Sequence, residues 1–219
     1  MDLSALKKEV LTYSLKMVKD HLSYGSQGNI SLRDDYSGLI AITPTAIPYE
    51  EMNVEDICIV DQSGKLLSEK WKPTSEIALH LVFYQNDNDI MAVIHTHAPY
   101  ATVFAAAHKP IPMSIIEAAT CIGHEVPIAA YFRPGTNELA QLTYNSMIGK
   151  TCALMANHGL ISVGPNPARA YETTMAVESS ARVCLMAGSM GTPVIQIPED
   201  EVKAIRKIYV DNYRPQKVT

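Results

Sequence analysis

Tyr24-Gly25-Ser26-Gln27-Gly28-Asn29-Ile30-Ser31-Leu32-Arg33-Asp34-Asp35-Tyr36-Ser37-Gly38-Leu39-Ile40-Ala41-Ile42 is the stretch that decides how this chain is built. Two apolar runs, Ile30 to Arg33 and Leu39 to Ile42, read as strands; a glycine-rich turn opens the first, and Tyr36-Ser37-Gly38 leads into the second. So short a connector favours antiparallel pairing, because a parallel partner needs a crossover of about a dozen residues or more. Upstream, Leu3, Leu6, Val10, Leu11, Leu15, Met17, Val18 and Leu22 fall mostly at helical spacing, so residues 2–22 are expected to form an amphipathic helix. Downstream, Ile57 to Val60 and Lys65 to Leu67, joined by Asp61-Gln62-Ser63-Gly64, suggest another strand pair.

From Ser75 the pattern turns helical, with Ile77, Leu79, Leu81, Val82 and Tyr84 following Thr74 or Ser75 as the cap. Met91 to Ile94 reads as a strand after the turn Asn86 to Asp89, and Cys152 to Ala156 as another. Helices are expected over 98–107, 136–148, 167–190 and 199–211. Early hairpins followed by alternating helix and strand make this an α/β chain with a mixed sheet covered by helices; a purely doubly wound topology fits poorly. We read 1–219 as one domain, with a C-terminal helix and tail from about 198.

With 219 residues, 47% of them hydrophobic, the chain can bury a substantial core. A net charge of −5 gives no basic field for nucleic acid, though it leaves room for a local phosphate site. There is no apolar run of membrane-spanning length and no signal-peptide hydrophobic region, so a soluble, cytoplasmic protein with no membrane partner is expected. Cys58, Cys121, Cys152 and Cys184 are widely spaced without a C-x-x-C pair, which suits reduced thiols better than disulfides.

His95-Thr96-His97 follows the strand at Met91 to Ile94, with Glu76 nineteen residues before it and His158, in Asn157-His158-Gly159, well after it. Side chains at i and i+2 of a strand share a face about 6.6 Å apart, so two imidazoles there can converge on one ion. His158 follows the second apolar strand and precedes a glycine at which the chain can turn sharply. Three imidazoles and one carboxylate are the ligand set of a catalytic zinc site. Taken singly, each histidine also reads as an ordinary polar residue at a strand end, and H-x-H spacing also arises by chance.

Three further segments combine small hydroxyls, amides and flexible backbone: Gly25-Ser26-Gln27-Gly28-Asn29, Thr43-Pro44-Thr45-Ala46 and Pro73-Thr74-Ser75-Glu76. Hydroxyl and backbone N–H donors near a helix N-terminus bind phosphate without much basic charge. Each segment is equally a plain turn or cap. Neither a Walker pattern nor G-x-G-x-x-G occurs, so a nucleotide cofactor is not indicated.

Read together and in order, Gly28-Asn29-Ile30-Ser31, Thr43-Pro44-Thr45, Ile47-Pro48-Tyr49, Ser75-Glu76, His95-Thr96-His97 and Asn157-His158-Gly159 resemble the class II aldolase/adducin family, and within it the L-fuculose-1-phosphate aldolase group. The resemblance covers roughly residues 5–185. It implies a three-layer α/β/α fold with a central, largely antiparallel mixed sheet. It also implies one zinc ion per subunit held by His95, His97 and His158, with Glu76 as fourth ligand and, once substrate displaces it, as acid/base. Ser26, Asn29, Thr45, the backbone at Ala46, Thr74 and Ser75 would hold the phosphate of a sugar phosphate. Family members are cyclic homotetramers with active sites at subunit interfaces, where a tyrosine of the C-terminal tail often completes the site; Tyr209 and Tyr213 are the candidates.

The implied reaction is zinc-dependent cleavage of a deoxyketose 1-phosphate to dihydroxyacetone phosphate and a short aldehyde. Two departures bear on the substrate. Glycine is usual where this chain has Ala46, and Ile116 stands near where the fuculose enzyme places an aromatic residue, so a 5-deoxypentulose 1-phosphate yielding acetaldehyde is a candidate beside L-fuculose 1-phosphate yielding lactaldehyde. Glu117 resembles an acid/base glutamate of methylthioribulose-1-phosphate dehydratases, which lack the acid at the position of Glu76, and is otherwise an exposed or capping residue. Pentulose-phosphate 4-epimerases resemble the chain except for aspartate in place of Glu76. Non-catalytic adducin heads resemble the fold but have lost metal ligands that are present here.

Overall fold

Strand alternation sorts the apolar side chains into two cores, one on each face of a single sheet. The computed structural model describes residues 3–68 and 70–212. The strands are β1 (Asn29–Arg33), β2 (Ile40–Ile42), β3 (Cys58–Val60), β4 (Ala92–Thr96), β5 (Ile128–Ala129), β6 (Cys152–Met155) and β7 (Gly159–Gly164). They lie in the order β3-β2-β1-β4-β7-β6-β5, and only the β5–β6 pair is parallel. The helices are α1 (Leu3–Lys19), α2 (Ile77–Asn86), α3 (Pro99–Ala106), α4 (Ile116–Cys121), α5 (Asn137–Ser146), α6 (Pro167–Gly188) and α7 (Glu199–Asn212).

Ile30, Leu32, Ile94 and Leu154 face the core built with α1, α3, α4 and α6, whereas Ile40, Ile42, Val93 and Ile161 face the core built with α2 and α5. The three-layer, largely antiparallel mixed architecture is therefore as expected. Three local readings are corrected. Lys65 to Leu67 forms no strand, only an isolated bridge between Val60 and Leu66. Residues 159–164, expected to begin in a turn, form β7, which joins the β1–β4 half of the sheet to β6. The residue that turns the chain before it is Asn157, in the left-handed region at φ 56°, rather than Gly159.

One interface sets the height of the future site. Residues Asn29, Ser31 and Arg33 of β1 point toward α2, and the matching groups are Glu76, His80 and Tyr84. Two residues of strand advance about 6.7 Å and four of helix about 6 Å, so the two polar rows keep step. At the far end the buried Arg33 guanidinium donates to the carbonyls of Tyr84 (2.8 Å), Asp87 (3.0 Å), Asn88 (2.7 Å) and Ile90 (2.7 Å), closing the end of α2 and the turn into β4. Replacing this residue leaves several carbonyls without a donor. We expect Arg33→Met to lower the unfolding free energy by about 3 kcal/mol, read from denaturant titration; a loss below about 1 kcal/mol would show that the guanidinium does not fix this turn.

Candidate metal centre

Antiparallel pairing places Asn29 of β1 and Ile161 of β7 on either side of His95. His95 is fully buried, and its Nδ1 donates to the Leu160 carbonyl at 2.9 Å. A carbonyl can only accept, so that contact fixes the hydrogen on Nδ1 and leaves Nε2 toward the site. His97 continues the same face, its Nε2 3.2 Å from Nε2 of His95. His158 comes from the three-residue loop between β6 and β7. That loop is anchored by Asn157, whose N–H donates to the Ala105 carbonyl at 3.1 Å and whose Oδ1 lies 2.5 Å from Nε2 of His108. Gly159 is needed for a steric reason: a Cβ there would stand 2.4 Å from the Thr96 carbonyl oxygen and 3.3 Å from the His97 ring.

These elements bring His95, His97 and His158 together with one nitrogen of each within 4.8 Å of the others. Glu76 closes the group, Oε2 lying 3.3 Å from Nε2 of His95 and Oε1 3.4 Å from Nε2 of His158. Glu76, not Thr74 or Ser75, occupies the N-cap position of α2, but its side chain accepts no capping hydrogen bond and points to the histidines. Thr74 instead accepts from the Glu76 N–H at 3.3 Å. Burial works against a charged carboxylate here, yet His95, His158 and the Asn29 amide outweigh it and hold the Glu76 carboxyl well below its ordinary range. Burial, reinforced by His95, pushes His97 and His158 down to about 4, so both are neutral at pH 7 and present lone pairs. Glu76 Oε1 is buried without a hydrogen-bond partner. Three imidazoles, a carboxylate and an unsatisfied carboxylate oxygen aimed into the same space fit a divalent transition metal.

The three hydroxyl-bearing loops adjoin Glu76. The Thr45 N–H donates to the Lys72 carbonyl at 3.1 Å and the Thr74 N–H to the Thr43 carbonyl at 3.0 Å, stitching residues 43–45 to 72–74. Tyr49 ties in the glycine-rich loop, its hydroxyl donating to the Gly28 carbonyl at 2.7 Å and its N–H to that of Gly25 at 3.1 Å. Ser26, Thr45, Ala46 and Ser75 are exposed, whereas Asn29 and Thr74 are buried. Ala46 adopts φ 59°, the left-handed conformation in which a glycine is unstrained.

Two expected residues lie elsewhere in the chain. Tyr209 is buried on α7, its hydroxyl donating to Glu172 at 2.7 Å and also in contact with Arg169. It lines a groove of about 530 Å³ together with Ile116, Glu117 and Ile208. Glu117 is exposed on α4. Tyr213 lies outside the described residues. Sequence reading missed His80, Ser31 and Tyr84, which back the site; the signal was present as polar residues at i, i+4 and i+8 in Glu76-His80-Tyr84 and at alternate positions of an apolar strand.

The sequence profile of the Class II Aldolase and Adducin N-terminal domain matches residues 8–185. This chain belongs to the class II aldolase and adducin family. Within that family it is 34% identical over 201 residues to the 5-deoxy-D-ribulose 1-phosphate aldolase of Bacillus thuringiensis serovar kurstaki, covering 92% of this chain and 93% of that one. It is 31% identical over 205 residues to the L-fuculose phosphate aldolase of Escherichia coli O6:H1, covering 94% of each. Among solved structures it superimposes on an L-fuculose 1-phosphate aldolase with a TM-score of 0.90 at 34% identity, covering 94% of this chain and 96% of that one. Among the described residues of this class II aldolase family member, no helix is long and apolar enough to cross a membrane.

His97→Ala is expected to leave the fold intact and abolish stoichiometric metal, as read by circular dichroism and elemental analysis of the purified protein. A second expectation concerns the approach to Thr74. Asp56 is held by Lys70, by the Asn53 N–H at 2.8 Å and by the indole N–H of Trp71 at 2.8 Å, and the Lys70 contact leads in keeping its carboxyl well below the ordinary range despite burial. A depressed folded-state pKa contributes stability that is present above about pH 4 and lost as pH falls through the folded value. Asp56→Asn should therefore be less stable than wild type at pH 7, with a shallower acid dependence below about pH 4. The fluorescence of Trp71, the only tryptophan, reads this directly; equal slopes for the two proteins would count against it.

Proposed function

We propose that the chain is a zinc-dependent class II aldolase cleaving a deoxyketose 1-phosphate to dihydroxyacetone phosphate and a short aldehyde. The observation that carries this reading is the Glu76 carboxylate: it lies against two imidazoles of the cluster, with Oε2 held by the Asn29 amide at 2.9 Å and Oε1 without a hydrogen-bond partner. His95, His97 and His158 would hold the zinc. When bound, zinc supplies a Lewis acid that draws electron density from the ketose carbonyl as the carbon–carbon bond breaks. Ser26, Thr45, the Ala46 backbone, Thr74, Ser75 and the second amide hydrogen of Asn29 hold the phosphate, which positions the substrate rather than reacting. Glu76 moves a proton at the carbon that becomes the hydroxymethyl of dihydroxyacetone phosphate.

The active unit is a cytoplasmic homotetramer in which the α4–α7 groove, with Glu117 and Tyr209, faces the centre of a neighbouring subunit; Tyr213 is the second candidate tyrosine to complete that site. Exposed apolar surface at Ile116 (56%) and Ile208 (62%) supports a covered interface there. Ile116 provides an apolar wall without a hydroxyl, which favours the acetaldehyde-yielding 5-deoxyribulose 1-phosphate over L-fuculose 1-phosphate; the Bacillus relative carries the corresponding name.

A coupled assay for dihydroxyacetone phosphate with both sugar phosphates decides the reaction. Product from neither, with zinc bound, overturns the reading; loss of water from either substrate marks a dehydratase, and unchanged mass with altered stereochemistry an epimerase. Glu76→Gln should keep the fold and metal while lowering kcat by about 100-fold or more. Normal turnover by that variant would remove Glu76 from the proton transfer.

A further inference from the structure

His80 is a fully buried titratable group that the reaction as described does not use. Its Nε2 lies 2.5 Å from Asn29 Oδ1 and its Nδ1 2.7 Å from Ser31 Oγ. Ser31 Oγ is in turn 2.8 Å from the Tyr84 hydroxyl, which also donates to the Ser31 carbonyl at 2.9 Å. At the other end Asn29 Nδ2 donates to Glu76 Oε2 at 2.9 Å.

The hydrogens of this chain can be placed by elimination. The Asn29 oxygen cannot face the Glu76 carboxylate, because both are acceptors, so Nδ2 faces Glu76 and Oδ1 faces His80. Oδ1 needs a donor, so Nε2 of His80 carries the ring hydrogen. Nδ1 is then a lone pair and takes the Ser31 hydroxyl hydrogen, while the single Tyr84 hydroxyl hydrogen lies between the Ser31 carbonyl and Ser31 Oγ. Burial, reinforced by His95, pushes the His80 pKa down to about 3, so the ring is neutral and holds one hydrogen at working pH. The donors of Ser31, His80 and Asn29 all point toward Glu76.

We infer that His80 is a positioning residue for the proton transfer: as the Nε2–H tautomer it locks the Asn29 amide in the one orientation that holds Glu76 Oε2 and leaves Oε1 to exchange the proton. It touches neither substrate nor metal. The inference rests on the aldolase reading for its consequence, but the hydrogen placement stands apart from it. Without His80 the Asn29 amide is free to rotate, and Glu76 loses its fixed geometry while His95, His97 and His158 keep theirs.

Two measurements test this. Long-range 1H–15N correlation of histidine-labelled, zinc-loaded protein reads the His80 tautomer without any substrate. We expect Nε2–H from pH 6 to 9, with its hydrogen-bonded resonance lost in Asn29→Ala; an Nδ1–H tautomer overturns the inference. In steady-state assays His80→Phe should lower kcat by about 10- to 100-fold with zinc content unchanged, and KM should move less than kcat, since Asn29 is one of several groups on the phosphate. His80→Gln, whose amide can donate to Asn29 and accept from Ser31, should recover most of that loss. Equal kcat for the Phe and Gln variants, or a loss that follows zinc content or falls wholly on KM, overturns the positioning role. Absence of turnover by wild type would overturn the proposed reaction, and the tautomer measurement would still decide the relay.

Discussion

The pairing of β1 with α2 is the constraint on which the rest depends. Most strand–helix contacts in this protein are apolar and tolerate sliding, because one buried methyl group replaces another at little cost. Here the contact is a row of hydrogen bonds from Asn29, Ser31 and Arg33 to Glu76, His80 and the end of α2. Displacing the helix by one turn would leave several of these buried groups unpaired at about 1–3 kcal/mol each. Because Asn29 pairs beside His95 in the sheet, fixing α2 against β1 also fixes Glu76 against the histidines. The helix is held by polar groups that would destabilise an interface assembled less completely.

Backbone conformation carries the second part of the design. Asn157 is left-handed because a three-residue loop must reverse the chain between two adjacent strands, and its side chain is satisfied by His108. Gly159 serves close approach: the hairpin lies so near β4 that no side chain fits between them. At Ala46 the chain accepts a conformation that costs an L-residue about 1 kcal/mol. That cost falls on an exposed loop beside Thr45, where burial does not compensate.

Much of this was legible in the residues. The antiparallel start followed from Tyr36-Ser37-Gly38, the gathering of Glu76 with His95, His97 and His158 from their order and spacing, and the long helices from their apolar spacing. What escaped has physical reasons. β7 begins and ends in glycine, which reads as punctuation, although Leu160 to Val163 between them is a strand. α4 and β5 are too short for periodicity to register and are held by tertiary contacts. Lys65 to Leu67 has strand composition but only one bridging contact. In the sequence His80 stands as a polar residue within an apolar helix; its meaning appears only when β1 is laid against it.

The position of β7 has a consequence for assembly. Glu76, His95 and His97 lie in the earlier half of the chain, whereas His158 arrives on the hairpin whose second strand inserts between β4 and β6. A nascent chain lacking that strand has two imidazoles at the end of β4, His95 within it and His97 just beyond, and nothing to bring the third to them. Full-strength metal capture therefore waits on closure of the sheet, and the free energy of metal binding reinforces the step that joins its two halves. The ion would act as a late clasp on a finished scaffold, so a chain stalled before β7 has little means of trapping it in the wrong place.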